Sequence, residues 1–292
     1  METKMIDYKS DEYPSRLLNI DKFPKKIYYV GNCNLLNHKK IVAIVGARDC
    51  SEYGRKYAGI FAMELAKNNI CVISGLAVGI DAAAHQGAVY EKGKTIAVLG
   101  GGMKHLYPRE NIWLYNEIIE NDGCVITEHK DDEETKLEGF PKRNRIISGM
   151  ADAVLVIEAR RSGGTLVTAR YAKLHKKKLY CIPHNLDSKS GVATNELILK
   201  GAQIVTDPMQ IVKDLYGRNE KDSIQEIEEE KIQVSEEYSE IFHLLKEKAM
   251  TKDEISRQIN KNISETNAIL TMMELEGYIS QTAGNLFKIR RN

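Results

Sequence analysis

Cys71-Val72-Ile73-Ser74-Gly75-Leu76-Ala77-Val78-Gly79-Ile80-Asp81-Ala82-Ala83-Ala84-His85 is the stretch on which the fold turns. Its first four residues form a short apolar run, a glycine interrupts it, and an alanine-rich segment of helical composition follows. A strand without polar alternation is buried on both faces, which is how strands read in a parallel sheet with helical crossovers.

The same unit recurs on either side. Apolar runs at 41–45, 71–74, 95–99, 124–127, 153–157, 179–182 and 202–205 alternate with helical patterns at 51–68, 79–92, 108–121, 144–150, 166–176 and 195–200. The alternation predicts an α/β fold, an extended Rossmann-like parallel sheet covered on both faces. Ligands of such sheets sit beyond the carboxyl ends of the strands. Gly46 follows the first strand, Gly75 the second, Gly100-Gly101-Gly102 the third and Ser162-Gly163-Gly164 the fifth, so four strand ends are expected to converge on one crevice.

Two segments near these ends read as anion sites. Phe140-Pro141-Lys142-Arg143-Asn144-Arg145-Ile146-Ile147-Ser148-Gly149 sets three cations and an amide donor between a Phe-Pro turn and an apolar run. Arg160-Arg161-Ser162-Gly163-Gly164-Thr165 places a glycine pair at the start of a helix. Backbone N–H groups there carry partial positive charge and lack an internal partner, so a small turn lets a phosphate approach them. The competing reading of Ser162 and Thr165 is a plain helix cap. Ser74 and Gly75 carry the same two readings.

An extended nucleic-acid strand presents regular phosphates and bases free to stack, so its binder needs spaced cations, backbone donors and an aromatic surface. Arg48, just past the first strand, is placed to reach over the crevice, and its alternative is a structural salt bridge. Arg109 follows Tyr107-Pro108 before a helix, where a cation can meet another phosphate. Lys142, Arg143 and Arg145 cannot all face one way, so at least one is expected in a structural pair. Asn144 either fixes the turn or touches the ligand, and Phe140 either stacks on a base or anchors the core. Arg48→Ala and Arg143→Ala are both expected to weaken binding with little change in fold. Asp81 and His85, four apart on a helix, are expected to position the Ser74-Gly75-Leu76 loop, and Trp113 is expected in the core.

The 292 residues leave room for more than one domain. With 42 Lys+Arg against 41 Asp+Glu the chain is no polycation, and any basic function must be local. Five scattered cysteines without CxxC spacing suit reduced thiols and give no metal site. No stretch approaches the roughly 18 apolar residues of a membrane span, and the amino-terminal residues lack an apolar signal core. A soluble, cytoplasmic protein is expected. No nucleotide cofactor is implied, because there is no Gly-x-x-x-x-Gly-Lys-Ser/Thr loop and Gly100-Gly101-Gly102 lacks dinucleotide spacing.

Four regions are expected: a lead-in at 1–40, the Rossmann-like domain at 41–216, an acidic linker at 217–237 containing Glu226, Glu228, Glu229 and Glu230, and a small domain at 238–292. In the last, helices at 239–248, 251–260 and 264–276 precede strands at 278–280 and 286–289 joined around Gly284-Asn285. Three helices and a hairpin make a winged-helix-like module. Thr251 and Glu254 stand at the spacing of a capping box.

Ile44-Val45-Gly46-Ala47-Arg48, the Ser74 to His85 segment, Gly100-Gly101-Gly102 with Tyr107-Pro108, the Phe140 to Ile147 run, Ser162-Gly163-Gly164-Thr165 and Ile182-Pro183 occur in one order. Together they resemble the DNA-processing DprA family, also called Smf. The resemblance implies a homodimer that binds single-stranded DNA without base specificity, protects it, and helps load RecA recombinase in natural transformation. It also implies a DNA contact at Arg109. Many relatives carry a small helical domain ahead of the Rossmann part, whereas about forty residues precede Ile41 here.

Two rivals differ in class. Lysine-decarboxylase-like proteins hydrolyse nucleoside monophosphates through a Pro-Gly-Gly-x-Gly-Thr-x-x-Glu motif, but Arg170 stands where the acid would be, and only Glu158 or Asp152 reaching the same space would rescue hydrolysis. A duplex-binding regulator would read DNA with helix 264–276, which holds Glu265, Glu274 and Glu276 and no Lys or Arg. Such a helix is poorly charged for a major groove.

Overall fold

The computed structural model describes residues 2–217, 236–276, 278–282 and 285–289. The chain divides into two compact units, residues 1–218 and 219–292. In the first, the order is β1 (Lys4–Asp7), α1 (Ser15–Leu18), β2 (Lys26–Gly31), β3 (Ile41–Val45), α2 (Glu52–Lys67), β4 (Cys71–Ser74), α3 (Ile80–Tyr90), β5 (Thr95–Val98), α4 (Ile112–Glu120), β6 (Cys124–Thr127), α5 (Gly139–Met150), β7 (Ala153–Val156), α6 (Thr165–Leu174), β8 (Lys178–Cys181), α7 (Val192–Leu199), β9 (Gln203–Ile204) and α8 (Pro208–Tyr216). Nine strands form one sheet in the order β1-β2-β6-β5-β4-β3-β7-β8-β9. From β6 to β9 every neighbouring pair is parallel, while β1 and β2 add an antiparallel edge.

Strands β3 to β7 are buried at every position. The two-residue period of a strand sends Ile41, Ala43 and Val45 toward Ile146, Ile147 and Met150 of α5, and Val42 and Ile44 toward Phe61 and Leu65 of α2 and Ile80 of α3. Each such large aliphatic side chain contributes about 1.5–3 kcal/mol on full burial. After β3 the chain builds outward through β4, β5 and β6, then returns to lay β7 on the other side of β3. The crevice of an open sheet forms at that reversal.

Several expectations change. Helix α5 begins at Gly139, so Phe140 to Arg145 occupy its first two turns rather than a turn ahead of a helix at 144. Pro141 is tolerated because first-turn N–H groups have no intrahelical acceptor. Trp113 is 46% exposed, since the buried face of α4 is Leu114, Ile118 and Ile119 and Trp113 lies one step off it. The first forty residues are part of the first unit: β1 and β2 extend the sheet, Leu17 is fully buried, and Arg16 meets Asp152 at 3.1 Å. Gly149 of α5 lies close against Ile20 and Leu17, where a side chain would collide.

The second unit contains α9 (Glu236–Glu247), β10 (Met250–Thr251), α10 (Lys252–Gln258), α11 (Ile263–Leu275), β11 (Ile279–Thr282) and β12 (Leu286–Ile289), with strands in the order β10-β12-β11. Ile241, Leu245, Ile255, Leu270, Met273 and Phe287 form its core. The Thr251–Glu254 capping box is present, and α11 is capped by Asn262, whose side chain accepts from the Glu265 amide. Three helices with a terminal hairpin are the expected winged helix. Residues 218–235, which hold the acidic cluster read as a linker, lie outside the described residues, as do Gly277 and Gly284. Among the described residues no helix is long and apolar enough to cross a membrane.

Candidate nucleic-acid interface

Beyond the carboxyl ends of β3, β4 and β7 lies a cavity of ≈ 470 Å³. Ala47 and Arg48 follow β3 into its wall, Phe140, Arg143 and Asn144 reach it from α5, and Gly163, Gly164 and Thr165 supply the turn after β7. A second cavity of ≈ 120 Å³ shares Arg48, Phe140 and Arg143 with the first and adds Gly75, Val78, Tyr107 and Pro108. Three strand ends therefore converge. The fourth does not, because the loop around residues 130–135 seals the end of β5: a Cβ on Gly101 would strike Thr135, and one on Gly102 the backbone of Lys130 and Asp131.

Arg48 is exposed, with its guanidinium carbon 4.8 Å from the centroid of the Phe140 ring. Tyr107 lies 5.5 Å from the same ring. Among the described residues no carboxylate engages Arg48, so the salt-bridge reading does not hold and its charge is available. Gly79 carries a φ of +84° and sits so close under Arg48 and Ala47 that a Cβ would meet both carbonyl oxygens. The Ile80 amide donates to the Ala47 carbonyl at 3.2 Å. That loop is fixed from below.

The three cations of α5 separate, because each helical step turns the side chain by about a quarter of a revolution or slightly more. Lys142 points to solvent, 3.4 Å from Glu138. Arg145 donates to both oxygens of Glu128 at 2.8 and 2.6 Å and to the Lys22 carbonyl at 3.1 Å. Neither lines either cavity. Arg143 turns inward and is 4% exposed, its Nη1 donating to the carbonyls of Gly75, at 2.6 Å, and Val98. The expectation that Arg143 can be removed with little change in fold is corrected: it ties α5 to the ends of β4 and β5. Burial pulls its guanidinium down to about 10, with Asp81 raising it and Arg48 lowering it.

Ser74 and Gly75 are also committed to structure rather than to a phosphate. Ser74 Oγ donates to the Ile44 carbonyl at 2.6 Å, and the Gly75 amide donates to Asp81 Oδ2 at 3.1 Å. Leu76 holds a left-handed φ of 56°, steadied by Asn111 Nδ2 donating to its carbonyl at 2.9 Å. Burial pushes the Asp81 carboxyl up, opposed by Arg143 and these donors. Asp81 thus positions the loop as expected, but His85 bonds elsewhere. Thr95 Oγ1 donates its proton to the Val72 carbonyl at 2.8 Å, so His85 Nδ1, 2.8 Å away, must be the donor to that oxygen. Its Nε2 is left buried without a partner, and burial holds the ring down to about 3, neutral.

At the glycine pair, Gly163 donates to the Arg160 carbonyl at 3.1 Å, while the amides of Gly164 and Thr165 have no acceptor among the described residues. Nothing stands within 4 Å of a Cβ built on Gly164, so an anion can reach them. Asn144 Nδ2 reaches the Gly164 carbonyl at 3.4 Å, joining α5 to the turn. Ser162 is exposed and caps nothing; Gly164 holds the cap position without a side-chain bond. Arg160 pairs with Asp49 at 2.5 Å and Arg161 with Glu196 at 2.7 Å. Arg109, in the 3-10 turn Arg109–Asn111, lines neither cavity. Tyr107, which the sequence reading named only as leading to Arg109, lines the smaller one; its signal was an aromatic residue beside a proline ahead of a helix.

Free amides at the switch point of a doubly wound sheet, beside an unpaired arginine, make a candidate anion site on a Rossmann-like protein, here carrying a winged helix in the same chain. The chain belongs to the DNA recombination-mediator protein A family, whose model matches residues 4–216, and a DprA winged helix domain model matches residues 228–285. It is similar to Protein Smf of Escherichia coli, at 31% identity over 98% of this chain and 78% of that one. The X-ray structure of DNA processing protein A from Streptococcus pneumoniae superposes with a TM-score of 0.68 at 35% identity, covering 72% of this chain and 74% of that one. DNA processing protein A from Helicobacter pylori, whose structure addresses its single-stranded DNA binding mode, gives 0.67 at 29% identity, covering 74% and 96%.

Proposed function

We propose that this chain binds single-stranded DNA along the crevice without reading base sequence, protects it, and helps load RecA recombinase onto it in natural transformation, acting as a homodimer. The observation that carries the reading is Arg48, an unpaired cation laid on the Phe140 ring beside the free amides of Gly164 and Thr165. Cations and amides meet phosphates of any sequence, and an aromatic face accepts any base. The relationship to the Helicobacter pylori protein supports single strands as the ligand. The RecA and homodimer parts rest on the family resemblance.

Hydrolysis of a nucleotide is the weaker reading. Arg170 is exposed. Glu158 is fully buried and accepts from the Ser51 amide at 2.9 Å, from Ser51 Oγ and from Ser190 Oγ at 3.1 Å, and Asp152 pairs with Arg16 at the other end of β7. The acids at the cavity, Asp49 and Asp81, are held by Arg160 and the Gly75 amide.

The test is titration with a labelled oligothymidylate and with duplex of equal length at two salt concentrations, with release of free base from nucleotides assayed in parallel. Tight, salt-sensitive binding that favours the single strand, without base release, is expected. Weak binding with base release would replace this reading by the hydrolase.

A further inference from the structure

We propose that the bound strand runs past the crevice onto a second site, an aromatic shelf made by Tyr53, Tyr57 and His184, where a further nucleobase stacks. The proposal rests on the reading of the crevice as a single-strand site. Two cavities of ≈ 160 and ≈ 220 Å³ meet at Tyr53 and Pro183, which line both. Tyr53 is 43% exposed. Its centroid is 4.6 Å from Tyr57 and 5.2 Å from His184, the latter edge-on. Tyr53 is the exposed ring, and half-buried Tyr57 and His184 hold it in place; a pre-positioned ring suits stacking, since little side-chain freedom is then lost on binding.

The shelf is rigid by construction. His184 Nε2 donates to the Ile157 carbonyl at 2.7 Å, and Asn195 grips the His184 backbone through its side-chain oxygen at 3.1 Å and nitrogen at 2.9 Å. Gly191 lies so close that a Cβ there would occupy the imidazole. With Nε2 engaged, Nδ1 has no protein partner among the described residues.

Position and charge connect the shelf to the crevice. Tyr53 opens α2 after β3, and His184 follows β8, so both stand at the carboxyl edge of the same sheet. Asp49 lines the large cavity and Ser51 the shelf, with one residue between them. At 3.8 Å per Cα step their Cα atoms lie at most about 7.6 Å apart. Lys56, three residues from Tyr53 and so on the same helix face, holds its ammonium 5.9 Å from the Tyr57 ring. Of the nearby acids, Glu158 is buried beneath Ser51 and Asp49 is paired with Arg160, leaving Glu52 and Asp187 against Lys56 and Lys189. A single strand crossing from Arg48 reaches rings whose surrounding charges balance, so the shelf offers stacking and Arg48 the charge.

The experiment compares oligothymidylates of roughly 4 and roughly 16 nucleotides, the span of single-strand site sizes on stacking grooves, on the full chain and on Tyr53→Ala, Tyr53→Leu, Tyr53→Phe and Arg48→Ala. Tyr53→Ala should lose roughly 5- to 100-fold in affinity for the longer strand, bind the shorter one as wild type does, and keep the wild-type salt slope. Tyr53→Leu, which keeps apolar volume without a π-face, should lose as much, and Tyr53→Phe nothing. Arg48→Ala should weaken both lengths. Wild-type affinity of Tyr53→Ala and Tyr53→Leu for the longer strand, or equal losses on both lengths, would overturn the shelf and leave the crevice standing. Failure of the wild-type chain to bind either strand would overturn both.

Discussion

Arg48 and Arg143 lie close enough for their charges to oppose each other, yet the structure uses them oppositely. Arg48 keeps its charge at the surface on a ring, whereas Arg143 gives its donors to two carbonyls at strand ends. Arg48→Ala should therefore leave the melting temperature unchanged and reduce the salt slope of single-strand binding by about 0.7, the value for one phosphate. Arg143→Met should destabilise the chain by about 1–3 kcal/mol for each of the two buried carbonyls that lose its guanidinium as donor; urea unfolding measures it. His85 gives a pH dependence. Its folded value near 3 lies below the ordinary 6.5, so between these values the unfolded chain binds the extra proton. Stability is complete above 6.5 and falls as pH drops, by up to about 1.4 kcal/mol per pH unit. Urea midpoints on either side of pH 6.5 should show it, and His85→Gln should flatten the slope.

At the scale of elements, the binding geometry depends on how two segments enter their helices. Gly79 lets α3 start directly beneath the Arg48 loop. Gly79→Ala should cost about 1–3 kcal/mol from the strained backbone and lower single-strand affinity, since the loop must lift; a loss in melting temperature, which Arg48→Ala should not show, together with weaker binding, checks it. The strands β3 to β7 were legible because burial on both faces leaves them apolar apart from Ser74, Thr95 and Thr127, each at a strand end. Helix α5 was legible only in its second half. Pro141 reads as a break, and nothing local says that it falls within the first turn, where a proline loses nothing. That shift of five residues at the start decides which way Lys142, Arg143 and Arg145 point, so the composition of the cationic run was visible and its division of labour was not. At Ser74 and Gly75 the structural reading prevails over the phosphate: the Asp81 partner of Gly75 was legible from its place on the following helix, whereas the Ile44 partner of Ser74 is set by tertiary contact.

For the whole molecule, the winged helix and the sheet are separate units with separate cores. Residues 1–218 expressed alone should fold and bind oligothymidylate as the full chain does, and abolished binding would move the site to the second unit. The antiparallel edge escaped sequence reading because β1 is four residues long, begins with a lysine and ends with an aspartate, and finds its partner only in space. The winged helix was legible from its capping box and hairpin spacing, which are local signals.

The sheet order carries a consequence for synthesis. Strand β2 pairs with β6, and β3, in the middle of the sheet, takes β7 as one neighbour. On a ribosome, residues 26–31 emerge long before 124–127, and 41–45 long before 153–156. Each therefore waits with an open, apolar edge while about a hundred further residues are translated, for several seconds at about 5–20 residues per second. A nascent chain halted before residue 153 has no partner for one side of its central strand, and such a fragment is the form of this protein with most need of a chaperone.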